Sequence, residues 1–256
     1  PQKQDGETSS HIATAKISVV RQLGMGRPVS GRFSPKDGTL WIADAVLGLT
    51  RIKNPTNPKS KVELVASTVA MEDGTESKIK FVDDLNIGPE TGKVYFTDAT
   101  NIEPTRIDTR HPYDVLYPSK LDFMRGLPSG RLLSYDPATD ITQVLATGFR
   151  FANGLAISPD ESYLLLAETY GMRVWKYHIK GPEAGEMEIL VSHMPGYPDG
   201  LSCAPTTSKD EHRCFVVMPA AVIPFHKLLA ALPDTLDTWI RHLLMALPRW
   251  ASPVRI

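Results

Sequence analysis

The amino-acid sequence predicts an all-β fold, a β-propeller of which about four blades are present. Three features carry this prediction. One strand–proline–turn–strand phrase occurs four times, an acid closes the second strand in three of the four, and two further short strands follow in the same three. Such a unit cannot bury an apolar face alone, and stacking copies around an axis does so. A β-sandwich has similar strand content but does not repeat one phrase in this way.

The first strands are PVSGRFSP (Pro28–Pro35), VDDLNIGP (Val82–Pro89), ANGLAISP (Ala152–Pro159) and PDGLSCAP (Pro198–Pro205). Each stops at a proline, which cannot donate to a sheet ladder and favours a turn. The second strands are TLWIAD, KVYFTD and YLLLAE, ending at Asp44, Asp98 and Glu168, nine residues beyond the proline. These acids lie one strand out from a channel and are expected to bind neighbouring backbone amides. The fourth unit reads RCFVVM and has no acid there. Third strands are GLTRIKN, GRLLSYDP and MRVWKYHI; fourth strands are KVELVAS, ITQVLAT and EMEILVS. Unit starts at Val29, Asp83, Asn153 and Asp199 are 54, 70 and 46 residues apart, and the long interval holds an insertion at Asn101–Pro128.

The period breaks after Ala221. Three regions follow: a polar segment or partial blade at residues 1–25, blades at 26–221, and a helical insertion and truncated end at 222–256. Asp234 can cap a helix running to about Leu247. Leu236, Trp239, Ile240, Leu243, Leu244 and Leu247 share one face of it, with Arg241 and His242 off that face. The stripe is expected to pack on the propeller body; the alternative is a lid or membrane-surface helix.

The chain has 256 residues, 42 % hydrophobic and 22 % charged, with a formal net charge of -1. It can bury a sizeable core, and no basic surplus points to nucleic acid. No apolar run reaches the roughly 18 residues of a membrane span. The opening, Pro1 to Ser10, is polar, lacks a signal-peptide core and does not begin with methionine. A removed targeting segment or an incomplete chain is expected. Cys203 and Cys214 flank a polar turn and could meet across a hairpin, but the habits of buried cysteine favour two free thiols in strands.

In a propeller the first strand of each blade lines the channel, and its leading residue sits at the mouth. Those residues are Val29, Asp83, Asn153 and Asp199, so three of four are oxygen donors. Converging carboxylate and amide oxygens suit a hard cation, calcium above all. Two neighbouring carboxylates would repel without one. A turn role competes with this reading, because Asn153-Gly154 and Asp199-Gly200 are turn-like pairs. No G-x-S-x-G elbow or Ser/His/Asp set is present.

The phrases GRPVSGRF, DGTLWIADAVLGL, FVDDLNI, GKVYFTDAT, SGRLLSYDPATDITQVL, FANGLAISPDESYLLLAETYGMRVWKYHIKG and MPGYPDG resemble the strictosidine synthase-like family from about Gly26 to Gly200. The resemblance implies a six-bladed propeller akin to calcium-dependent lactonases, paraoxonases and gluconolactonases, with blades two to five present here. It implies a calcium ion held by a first-blade glutamate, third- and fourth-blade asparagines and a fifth-blade aspartate. Asp83 stands at the third-blade position in place of asparagine, Asn153 matches the fourth and Asp199 the fifth. The first-blade glutamate has no counterpart, and Gly200 stands where many members carry a further asparagine. The glutamate that catalyses strictosidine condensation belongs to the final blade.

The expected function of the full-length protein is therefore calcium-dependent hydrolysis of esters or lactones, arylesterase- or lactonase-like. Asp83 or Asp199 would be the base or nucleophile, acting on a small-molecule substrate. A non-catalytic scaffold with a structural ion is the alternative, and amine–aldehyde condensation a second. The resemblance further implies an endomembrane, secretory or membrane-associated setting, reached through an N-terminal anchor or the 234–247 helix.

Overall fold

The computed structural model describes residues 26–106, 113–204 and 213–246. The segment 1–25 and the helix end expected at Leu247 lie outside the described residues, as does the side chain of Asp234.

Strands β1 (Pro28–Phe33), β2 (Leu40–Asp44), β3 (Gly48–Ile52) and β4 (Glu63–Ala66) form the first antiparallel blade, in that spatial order. A hairpin of β5 (Thr68–Ala70) and β6 (Glu76–Lys78) leads to the second blade. That blade comprises β7 (Val82–Ile87), β8 (Val94–Asp98), β9 (Gly130–Asp136) and β10 (Ile141–Phe149), with helix α1 (Leu116–Arg125) inserted between β8 and β9. The third holds β11 (Ala152–Ile157), β12 (Tyr163–Glu168), β13 (Arg173–His178) and β14 (Met187–Val191). The fourth unit has two strands among the described residues, β15 (Leu201–Cys203) and β16 (Cys214–Val216), followed by helices α2 (Pro224–Ala230) and α3 (Asp234–Ala246). Strand β7 lies against β1 and β11, and β15 against β11, so the first strands of successive blades stand side by side. This is the expected propeller, with three full blades and the inner half of a fourth.

Blade packs on blade through apolar layers. Trp41, Leu49, Leu85, Phe96 and Leu133 fill the first layer, and Tyr95, Leu132, Phe149, Leu155 and Leu164 the second. Second strands are covered on both faces, which is why VYFTD and YLLLAE read as continuous runs rather than as alternation.

The three acids that close the second strands do bind backbone amides. Asp44 Oδ1 accepts the N–H groups of Arg27, Val46 and Leu47 at 2.9, 2.9 and 2.8 Å. Asp98 Oδ1 accepts those of Lys80 and Phe81 at 3.0 and 2.8 Å, and Glu168 Oε1 that of Arg150 at 2.9 Å. Each acid therefore ties the end of a second strand to the chain entering its own first strand. Arg131 donates to Asp98 Oδ2 at 3.0 and 2.6 Å, and Arg173 and Trp175 donate to Glu168 Oε2 at 2.5 and 2.6 Å. In the first blade Gly48 occupies the place opposite the acid, and among the described residues Asp44 Oδ2 has no hydrogen-bond partner.

Gly154 lies inside β11, and its N–H donates to the Asp199 carbonyl at 3.0 Å. A Cβ there would stand 2.1 Å from that same oxygen. The glycine thus permits the approach of the next first strand and makes no turn. The turn reading of Asn153-Gly154 does not hold.

Two expectations are corrected. Cys203 and Cys214 form a disulfide. They are directly opposed in the β15–β16 register, which brings their side chains together. The C-terminal helix, in turn, packs by its polar side. Asp237 and Arg241 are 1 % and 2 % exposed, whereas Leu236, Trp239 and Leu243 are 47 %, 75 % and 65 % exposed. Arg241 Nε donates to Asp237 Oδ1 at 2.6 Å, its Nη1 donates to the Phe123 carbonyl, and its guanidinium lies 4.9 Å from the Phe123 ring. Helix α1 ends at Gly126 in a left-handed conformation, and its buried last turn offers a carbonyl that an arginine satisfies better than a leucine. No helix among the described residues is long and apolar enough to cross a membrane.

Gly154→Ala should cost about 1–3 kcal/mol through overpacking, whereas Gly200→Ala, with no atom within 4 Å of the added carbon, should stay within about 0.5 kcal/mol. Chemical denaturation measures both, and equal costs would contradict the assignment. Asp237→Ala strands a buried guanidinium, worth about 3–5 kcal/mol. It should speed amide exchange in α1 and α3, while Trp239→Ser leaves exchange unchanged; the reverse ranking would place the apolar face inside.

Candidate functional site

In the three complete blades the first strand is irregular at one place, whereas β15 pairs in regular register. In β7 the residues Asp83 and Asp84 fall between the pairs Val82↔Asp98 and Leu85↔Phe96, so two residues oppose Thr97 alone. In β11 Asn153 and Gly154 fall between Ala152↔Glu168 and Leu155↔Leu166. In β1 Val29 is the extra residue between Pro28↔Asp44 and Ser30↔Ala43. A bulge adds one residue and re-aims its side chain. Three of the four residues expected at the channel mouth, Val29, Asp83 and Asn153, stand at these places, and Asp199 precedes β15 without such a bulge.

Asp83, Asn153, Asp199 and Val29 line one cavity of about 360 Å³, together with Asp84 and Arg32. The structure thus brings all three expected donors to one place, and it puts the apolar Val29 there as well. Asn153 is held from two sides: its side-chain nitrogen donates to Thr169 Oγ1 at 3.1 Å, and its main-chain carbonyl accepts from Thr97 Oγ1 at 2.9 Å. Thr169 Oγ1 donates on to the Pro198 carbonyl at 2.8 Å, just before Asp199.

Asp84 performs a task that residue spacing did not reveal. Its Oδ1 accepts from Ser30 Oγ at 2.6 Å and from the Leu85 N–H at 2.9 Å, and its Oδ2 accepts from the Leu155 N–H at 2.8 Å. One buried carboxylate therefore joins β1, β7 and β11 beneath the mouth. Its repeat equivalents are Ser30, Gly154 and Gly200, so no recurring residue type marks the position. Only the Asp83-Asp84 doublet hints at it.

The mouth is electrically unbalanced. Removal from water, then the charges of Asp84 and Asp199, pushes the Asp83 carboxyl up to about 8. Asp199 is raised by burial and by Asp84, with the Asn153 side chain pulling the other way. Among the described residues no basic side chain pairs with Asp83 or Asp199, nor do three His, Cys, Asp or Glu side chains form a ready metal cluster. Two carboxylates and one amide around an uncompensated negative centre fit a hard cation.

The sequence profile of the strictosidine synthase family matches residues 83–182. Strictosidine synthase-like 13 of Arabidopsis thaliana is 33 % identical over 224 residues, covering 87 % of this chain and 48 % of its own length. The adipocyte plasma membrane-associated protein of Homo sapiens is 36 % identical over 176 residues, covering 69 % of this chain and 38 % of its own length. The chain spans about half or less of the length of these relatives. Among solved structures, a gluconolactonase from Xanthomonas campestris aligns with a TM-score of 0.47 at 17 % identity, over 73 % of this chain and 61 % of that one. A calcium-binding protein, regucalcin, from Agrobacterium tumefaciens aligns at 0.39 and 12 %, over 72 % and 66 %. With the profile running through the second and third blades and relatives a third identical along most of its length, the chain belongs to the strictosidine synthase-like family.

Proposed function

We propose that the channel mouth binds calcium and that the full-length protein hydrolyses esters or lactones there. The convergence of Asp83, Asn153 and Asp199 on one cavity carries this reading; the first two are delivered by β7 and β11, and Asp199 stands two residues before β15. A calcium ion bound by these oxygens would supply Lewis acidity toward a carbonyl oxygen. The chain's own residues do the rest. Asn153, anchored by Thr97 and Thr169, holds a fixed donor. Asp83 gives up its proton when positive charge arrives. Asp199, on the opposite side of β11 from β7, takes a proton from water or attacks the carbonyl carbon itself. Leu201, Phe215 and Val217 give the cavity an apolar wall for the organic part of a substrate.

A scaffold reading, with an ion that only holds the blades, draws its support from Val29. That position contributes no oxygen, and calcium takes about 6–8.

Calorimetric titration of calcium into the protein and its Asn153→Ala variant tests the site, with binding expected in the first and at least tenfold weaker in the second. Asp83 binds a proton below about 8, and calcium must displace it, so affinity should fall about tenfold per pH unit below that point and level off above it. A pH-independent affinity between 6 and 8 would mean that Asp83 is not a ligand. For catalysis, Asp199→Asn in the full-length protein should lower kcat for aryl ester or lactone hydrolysis at least a hundredfold. Unchanged turnover would remove Asp199 from the mechanism, and no turnover in the unsubstituted protein would favour the scaffold.

A further inference from the structure

The cavity at the mouth continues inward. A second space of about 590 Å³ is lined by the far ends of the first strands, including Asn86, Ile157 and Cys203, and it shares Arg32 and Ser202 with the first. In the repeat, Arg32, Asn86, Ala156 and Ser202 occupy one equivalent position, three residues beyond Val29, Asp83, Asn153 and Asp199. One ring of positions thus forms the mouth and the next lies deeper, and the deeper ring carries a single charge, the arginine.

That arginine is accessible and largely uncommitted. Its side chain is 41 % exposed. Its Nη1 donates to the carbonyl of its own neighbour Gly31 at 3.2 Å, and its Nη2 stands 3.9 Å from Asp84 Oδ1, beyond hydrogen-bond reach. This is a loose ion pair without a hydrogen bond, and Ser30, Leu85 and Leu155 supply the hydrogen bonds that Asp84 does make. A guanidinium has five donors in a planar fork that matches a carboxylate. Asn86 is less free, since its side chain is engaged by the Leu155 carbonyl and the Ile87 N–H. Ser202 lines the same space as Arg32.

We propose that Arg32, with Ser202 beside it, is a carboxylate-binding subsite one layer below the mouth. The ligand of this channel is then a small organic molecule that carries a carboxylate, seated on the guanidinium, and a second oxygen function that reaches the mouth. This deepens the hydrolase reading and rests on it for the substrate class: esters or lactones bearing a free carboxylate. The cluster of acids at the mouth disfavours an incoming anion, and a cation bound there adds positive charge, so cation and carboxylate strengthen each other's binding by the same factor.

Benzoate is the probe, titrated calorimetrically into the whole chain with and without calcium, and into Arg32→Gln and Arg32→Lys. Benzoate should bind the unsubstituted protein more tightly with calcium present. Arg32→Gln should weaken that binding at least tenfold, and Arg32→Lys, which keeps the charge and loses the fork, by a few-fold. Calcium affinity measured without benzoate should stay within threefold in both variants. Benzoate binding unaltered by Arg32→Gln, or no benzoate binding by the unsubstituted protein in either condition, overturns the proposal. Arg32-dependent benzoate binding in a protein that takes no calcium would uphold the subsite and defeat the hydrolase reading instead. Should Arg32→Gln fail to fold, Arg32→Lys decides: equal affinity to the unsubstituted protein overturns the planar-fork subsite.

Discussion

In the three complete blades a buried carboxylate at the end of the second strand ties that strand to the chain entering the first strand of the same blade. Asp44, Asp98 and Glu168 do this with charge-assisted hydrogen bonds to backbone N–H groups, which are stronger than neutral ones and are not shared with water. The tied residues, Arg27, Phe81 and Arg150, stand two or three positions before Val29, Asp83 and Asn153. The bulge follows immediately. Anchoring on one side and regular pairing on the other leave the bulged residue a single place to go, toward the channel axis. The site depends on this local arrangement more than on any contact among the donors themselves.

The two neighbouring acids of β7 divide the work between structure and chemistry. Asp84 accepts hydrogen bonds from β1, β7 and β11 through both oxygens and ties three blades together. Asp83 has no such donors and carries the cost of burial beside like charges. A fully satisfied buried carboxylate is a brace, and an unsatisfied one is a site awaiting a positive partner. Arg32 shows the same contrast with opposite sign: it pairs with Asp84 only loosely, at 3.9 Å and without a hydrogen bond.

Much of this was legible in the sequence because the repeat places equivalent residues at equivalent positions. The blades, the mouth residues and the amide-binding role of Asp44, Asp98 and Glu168 all follow from the strand–proline–acid phrase. What was not legible is whatever occurs once. Asp84 has a serine and two glycines as its counterparts, so comparison among units gives it no weight. The pairing of Cys203 with Cys214 depended on the register of one short hairpin, which the composition of the intervening turn does not determine. Helix α3 misled for a physical reason. An apolar stripe signals burial only if nothing better is available for the other face, and the carbonyl at the end of α1, the Phe123 ring and Asp237 made the arginine side the better fit. The insertion at Asn101–Pro128 was legible from the long unit spacing, but its helix was not: it supplies α1, the surface on which α3 rests.

Diffraction from crystals of the protein grown with calcium tests the central claim most directly. The account predicts one strong density peak at the mouth, with carboxylate oxygens of Asp83 and Asp199 and the amide oxygen of Asn153 at about 2.3–2.6 Å. A mouth holding only water, or a calcium ion bound elsewhere while Asp83 and Asp199 remain without a cation, would contradict it.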